Sequence, residues 1–294
     1  MNRILLSSIF LLLSGYLFSQ NFQLKDNIRI ITNGKNATIG VAAIFEGKDT
    51  LVINNQYRYP TMSVYKFHQA LAVLDHLNKN NLPLDTKIHV DKSDLLPNTH
   101  SPLRDKNPAG NFDISISELL KYSVTFSDNN ACDILFKYLG GTDVVDKYIK
   151  GLGITDTSIT ATEEKMHETP EDQYLNWTSP LASVELLEMF LKKNILPATH
   201  SDFLKKLMVE TTTGKDKIKY LLPEDVVVGH KTGSSFRTEF GFKVAENDIA
   251  FVTLPNGKQY TIAIFIMNSK EDDKTNSSLI AGISRIVYDH YKSK

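Results

Sequence analysis

A single cysteine, Cys132, stands in a chain of 294 residues, so no intramolecular disulfide can staple the fold. Its place in the apolar stretch Ala131 to Tyr138 reads as a small buried core residue. Metal-ligand spacing is missing too. The eight histidines include no His-x-His and no His-Glu-x-x-His, which sets metal-dependent hydrolysis aside. No Gly-Lys pair is followed by Ser or Thr, so there is no phosphate-binding loop, and no metal or other cofactor is expected. Charge of one sign is not in excess: 33 basic residues face 34 acidic ones, a balance that offers nothing to nucleic acid. Internal repeats, low-complexity tracts and linkers between independent domains are also lacking.

The roughly 20 consecutive apolar residues of a membrane span are not found either. Ile4 to Phe18 is shorter, and Ser7, Ser8 and Ser14 interrupt it. Preceded by Met1-Asn2-Arg3 and followed by Ser19-Gln20, it fits a secretory signal over residues 1–20, cleaved near Ser19/Gln20. No cysteine near its end could carry a lipid. The expectation is an exported, periplasmic protein with no stable membrane anchor. Cleavage removes Arg3 and no acid, leaving 32 basic against 34 acidic residues, a formal charge of −2.

What is present is β-rich at both ends and helical between. Thr38 to Phe45 and Thr50 to Asn54 flank Glu46-Gly47-Lys48-Asp49 as a hairpin, and Ile249 to Leu254 and Gln259 to Met267 flank Pro255-Asn256-Gly257-Lys258. Val226 to Gly229 is a further apolar strand, ending just before Lys231. Apolar stripes at helical spacing run through Ser63 to Asn78, Ile116 to Tyr122, Ala131 to Tyr138, Val184 to Lys193, Asp202 to Glu210 and Ser278 to Tyr291. This order predicts an α/β (α+β) sandwich: an antiparallel sheet of N- and C-terminal strands flanked by helices, with an inserted all-helical lobe. After the signal, residues 21–294 form one catalytic domain, its sheet lobe about 21–60 and 214–294 and its helical lobe about 61–213.

Three short strings carry chemistry: Ser63-Val64-Tyr65-Lys66, Ser127-Asp128-Asn129 and Lys231-Thr232-Gly233. A serine hydroxyl is a weak nucleophile until a neighbour takes its proton, and residues three apart on a helix share a face, so Lys66 can reach Ser63. Lys231 is a source of positive field that would lower the proton affinity of Lys66. Ser127 suits proton relay to a departing nitrogen, and Asn129 suits holding a substrate amide. A helix cap in the same string is compatible with both. Lys231, Thr232 and Ser234 supply a cation and two hydroxyls for a substrate carboxylate, while Gly233 lets a substrate backbone approach. Backbone N–H groups of Ser63 and Ser234 suit an oxyanion hole. Taken singly, each string reads equally well as a surface helix, a cap or a strand end; the ordered trio reverses that.

The ordered trio resembles that of class A serine β-lactamases, over essentially all of the chain after the signal. The resemblance implies a β-lactamase/transpeptidase-like fold, a monomer, no cofactor, a small β-lactam as substrate and a role in antibiotic resistance. It implies that Ser63 attacks the lactam carbonyl, that Lys66 and Glu163 share base duties, that Ser127 protonates the leaving nitrogen, and that Glu163, in an Ω-shaped loop, activates water against the acyl-enzyme. His167 stands where most members carry an asparagine, and Asp133 and Asn176 replace the usual loop-closing residues; these departures resemble the extended-spectrum, cephalosporin-preferring branch. His100 falls where an aromatic gate is usual. Lys217 falls where that branch carries a carboxylate-binding arginine, a role Arg237 would otherwise take, although the two side chains are not equivalent in bidentate recognition. A D-alanyl-D-alanine peptidase or penicillin-binding protein shares the trio without efficient deacylation, and a β-lactam-binding sensor would be acylated once; Glu163 argues against the former, and the lack of an anchor and signalling segment against the latter.

Overall fold

The structure is a computed structural model that describes residues 22–294, so the signal expected over residues 1–20 lies outside the described residues. Helix α1 (residues 22–32) leads into β1 (Thr38–Phe45) and β2 (Asp49–Ile53). After the two-residue strand β3 (Tyr59–Pro60) and a 3-10 turn (Met62–Val64), the chain turns helical. The helical part comprises α2 (Tyr65–Lys79), α3 (Pro102–Lys106), α4 (Ile116–Thr125), α5 (Asn129–Leu139), α6 (Thr142–Gly151), α7 (Glu163–Met166), α8 (Pro180–Lys192) and α9 (Ala198–Val209). The short strands β4 (Lys87–Val90) and β5 (Phe112–Ser115) pair with each other, and β6 (Thr157–Ser158) and β7 (Trp177–Thr178) join β3. The chain ends with β8 (Val227–Ser234), β9 (Lys243–Thr253), β10 (Gln259–Ser269) and α10 (Asp273–Tyr291).

The main sheet is antiparallel in the order β2-β1-β10-β9-β8, so the first and last strands of the fold are neighbours. Its strands β1, β9 and β10 are buried on both faces, and two apolar clusters account for this. One cluster joins Ala42, Ile44, Phe251, Ala263 and Phe265 to the helices of the central part. The other packs Val41, Ala43, Ile262 and Ile264 against Leu24 and Ile28 of α1 and Ile280, Ile283 and Val287 of α10. Alternation along each strand thus sends successive side chains into different cores. Both expected hairpins form. In the Asn256-Gly257 turn only Gly257 takes a positive φ, 81°. Gly257 N–H donates to Leu254 O at 2.9 Å and Leu254 N–H to Lys258 O at 2.8 Å, a turn plus a glycine bulge.

Two boundaries that matter for the site differ from those expected. Ser63 lies in the 3-10 turn, one turn before α2. The string Lys231-Thr232-Gly233 lies inside β8, which runs on to Ser234 and pairs with β9 along its whole length. Hydrophobicity ends at Gly229, but the backbone ladder does not. A polar strand end survives because β9 supplies its hydrogen bonds.

Candidate active site

Ser63 is fixed by the chain on either side of it. Met62, the residue before it, holds a positive φ of 44°, a strained conformation for a long side chain. Asn247 of β9 donates its amide N–H to the carbonyls of Pro60 at 2.8 Å and Thr61 at 3.2 Å. A Cβ on Gly233 would lie 2.4 Å from the Thr61 carbonyl oxygen and 3.1 Å from the Ser63 nitrogen. The space that glycine leaves is therefore filled by the nucleophile turn itself, not by a substrate backbone as expected. It lets β8 lie against the turn that carries Ser63.

Lys66 is fully buried on the first turn of α2. Its Nζ lies 3.0 Å from Ser63 Oγ, 2.9 Å from the Ser127 carbonyl oxygen, 2.6 Å from Asn129 Oδ1 and 3.0 Å from Glu163 Oε1. Ser63 Oγ is also 3.5 Å from Glu163 Oε1. Burial works against the Glu163 charge, but the Lys66 ammonium and hydrogen bonds from Lys66 and Tyr65 outweigh it, so its carboxyl is held below the usual range.

The middle string divides its duties. Asp128 caps α5, accepting from Ala131 N–H at 2.9 Å, from Leu103 N–H at 2.6 Å and from Ser101 Oγ. Burial raises its pKa despite these bonds. Ser127, at φ 57°, and Asn129 line the cavity. Asn129 Nδ2 donates to Thr99 Oγ1 at 2.7 Å, which fixes the amide's orientation. Lys231 Nζ donates to Ser127 Oγ at 2.9 Å. Fully buried and close to the charge of Lys66, Lys231 is pushed down to about 7.

The loop bearing Glu163 is closed at two points. Both oxygens of Asp133 accept, at 2.8 Å, from the backbone N–H groups of Glu163 and Glu164 at the start of α7. Asn176 Oδ1 accepts from Thr160 and Ala161, and its amide donates back to the Ala161 carbonyl. Burial and the Glu163 charge push Asp133 up to about 7. His167 Nδ1–H donates to the Glu163 carbonyl at 2.6 Å, leaving Nε2 as an acceptor. Its ring meets Phe236 edge-on with centroids 6.4 Å apart.

A cavity of about 440 Å³ lies between these parts, lined by Ser63, His100, Ser127, Asn129, Glu163, His167, Lys217, Thr232, Gly233 and Ser234, among others. His100 is held there by its Nε2–H bond to the Phe126 carbonyl at 2.9 Å. Thr232 Oγ1 pairs with Thr213 Oγ1 at 2.8 Å, whereas Ser234 Oγ donates to Glu246 at 3.0 Å. That leaves one threonine hydroxyl, not two free hydroxyls, for an anion. Arg237 does not reach the cavity. Its guanidinium donates to the carbonyls of Gly241 and Glu271 and to Asp273 Oδ1, because the turn after β8 carries it outward. Thr99, Thr213, Phe236, Glu246 and Asn247 escaped the motif reading, since each acts on a residue far away in sequence. Among the described residues no group of three or more His, Cys, Asp and Glu is placed to hold a metal ion, and no helix is long and apolar enough to cross a membrane.

Chemically, the constellation offers a hydroxyl beside an amine and a carboxylate, and a second hydroxyl held by a second amine. The profile of the β-lactamase enzyme family matches residues 23–291. A β-lactamase of Bacteroides uniformis is 44% identical over 276 residues, covering 92% of each chain. The extended-spectrum β-lactamase PER-1 of Pseudomonas aeruginosa is 37% identical, over 92% of this chain and 88% of its own. The crystal structure of the TLA-1 extended-spectrum β-lactamase superposes with a TM-score of 0.91 at 49% identity, covering 92% of this chain and 99% of that one.

Proposed function

The chain belongs to the β-lactamase enzyme family as a class A serine β-lactamase of extended-spectrum type, and on that premise we propose how its residues open a β-lactam and which ones they prefer. Ser63 Oγ adds to the lactam carbonyl while the oxyanion accepts from the Ser63 and Ser234 N–H groups. The C–N bond breaks and the nitrogen takes a proton from Ser127, whose hydroxyl Lys231 holds; the proton that Ser63 gave to Glu163 passes on through Lys66 to replace it, which leaves Glu163 a carboxylate again and both lysines as they were. Water, deprotonated by Glu163, then cleaves the ester and restores Ser63. The contiguous Ser63–Lys66–Glu163 contacts carry this reading.

The first proton goes to Glu163. The Ser127 carbonyl, Asn129 Oδ1 and the Glu163 carboxylate carry no hydrogen of their own, so they match the three N–H bonds of a Lys66 ammonium. The Ser63 hydroxyl is then left to donate toward Glu163. His167 Nε2 is a second acceptor for the hydrolytic water. A carboxylate beside the nucleophile also separates this site from a peptidase that stalls as an acyl-enzyme.

Cephalosporin preference is supported by the extended-spectrum relatives. Export as a monomer, with the signal cleaved near Ser19/Gln20, completes the proposal. Purified enzyme should hydrolyse a chromogenic cephalosporin without added metal, and Ser63→Ala should abolish this. Glu163→Gln should gain the mass of a bound substrate on mixing. Normal turnover in either variant removes the mechanism; a steady-state panel of penicillins, early and oxyimino cephalosporins and a carbapenem tests the preference. Mass and light scattering of the exported protein test processing and oligomeric state.

A further inference from the structure

The catalytic steps above make no use of the buried acid Glu246. Glu246 lies on β9 directly opposite Ser234, and is 2% exposed. One carboxylate oxygen is 3.0 Å from Lys217 Nζ. The other is 2.7 Å from Lys243 Nζ and accepts the Ser234 hydroxyl at 3.0 Å. Beyond it, Lys243 Nζ is 3.2 Å from Asp273 Oδ1, which also takes Arg237 Nη2 at 2.7 Å. Charges therefore alternate from the cavity wall to the outside: Lys217, Glu246, Lys243, Asp273, Arg237.

We propose that Glu246 is a positioning residue for recognition of the substrate's carboxylate, holding the Lys217 ammonium at the cavity wall beside Thr232 and keeping it charged. The proposal rests on the reading of the cavity as a β-lactam site. Lys217 is only 8% exposed, and burial disfavours its ammonium. The acids that face it are Glu246 and Asp248 from β9 and Asp216 from its own loop, the last at 3.6 Å. Glu246 makes the closest contact, and together these acids leave the lysine pKa raised, not lowered. Without it, burial is opposed by Asp216 and Asp248 alone, so the ammonium on the cavity wall is held less firmly and its attraction for an anion weakens. Because the Ser234 hydroxyl is spent on the same carboxylate, Lys217 and Thr232 line that wall to meet the substrate's charge, with the field of the buried Lys231 behind them.

The test is the KM of Glu246→Gln for a carboxylate-bearing cephalosporin and for its methyl ester, across pH. For the acid, KM should rise by about tenfold over the parent enzyme near pH 8, the ratio widening as pH rises, with kcat nearly unchanged. The ester should show no such change. Lys217→Met should raise KM for the acid alike, and adding Glu246→Gln to it should do nothing further. An unchanged or lowered KM in Glu246→Gln, or an equal rise with the ester, overturns the proposal; a fall would mean that Glu246 merely repels the substrate. If Lys217→Met itself leaves KM unchanged, the carboxylate reading of this wall fails instead. Glu246→Asp retains a counter-ion for the fold but draws it back by one methylene. It should move KM in the same direction by less, and it decides the question if Glu246→Gln does not fold.

Discussion

On the floor of the cavity, Lys66 meets four oxygens of Ser63, Ser127, Asn129 and Glu163 at 2.6–3.0 Å, in full burial. On its rim, Phe236 is 79% exposed and touches His167 edge-on, and His100 hangs from one bond to a backbone carbonyl. The difference is one of redundancy. A floor group is over-determined by several short polar contacts in a low dielectric, where each missing partner leaves a buried charge or dipole unpaired. A rim group is set by one or two contacts exposed to water, so it can change without disturbing the chemistry beneath. The floor fixes what reaction occurs, and the rim selects what enters.

Four measurements sharpen that contrast. Lys66→Ala should have the largest effect, lowering kcat/KM by roughly three to four orders of magnitude, because it removes the cation shared by Ser63 and Glu163. Single-turnover acylation checks this, and a loss below about tenfold would place Lys66 outside the chemistry.

Next is pH. Lys231, pushed down to about 7, is cationic below that value and neutral above it. KM for a carboxylate-bearing substrate should therefore rise as pH climbs through 7, and a profile flat across this range would show that its charge plays no part in binding.

Asp133→Ala sits between floor and rim. It frees two backbone N–H groups that hold Glu163. It should cost about 1–3 kcal/mol of stability by thermal unfolding and slow acylation and deacylation alike, since Glu163 is the base in both. Unchanged rates in both steps would argue against Asp133 holding Glu163 in place.

The rim should respond least. Phe236→Ala is expected to alter KM by about two- to fivefold, and only for substrates with bulky side chains. Arg237→Ala, pointing outward, should change KM by less than about twofold. A larger effect of Arg237→Ala than of Phe236→Ala would invert the assignment of the wall.

Much of the fold was legible because it follows periodicity. The strands Thr38–Phe45 and Gln259–Ser269 and the helix Asp273–Tyr291 match apolar runs that need burial. Helices α1, α3, α6 and α7 were not read, and β8 was cut short at Gly229, since pattern alone cannot see a ladder that carries polar residues. In the site, Ser63 and Lys66 were legible because they sit three residues apart on one helical approach, and Ser127 and Asn129 because they flank a cap. Arg237 was misplaced for the opposite reason: its distance from Lys231 along the chain says nothing about which way the turn after β8 sends its side chain.

By itself the sequence determined the class of chemistry. A nucleophile, its amine and the two further strings are local patterns, and their order along the chain, which resembles that of class A β-lactamases, makes them readable. The tertiary structure alone decided how charge is shared around them. It placed Glu163 against Lys66 across 96 intervening positions, lowered Lys231 through burial beside Lys66, and tied Lys217 to Glu246. Those effects depend on distance and desolvation, which the order of residues does not contain.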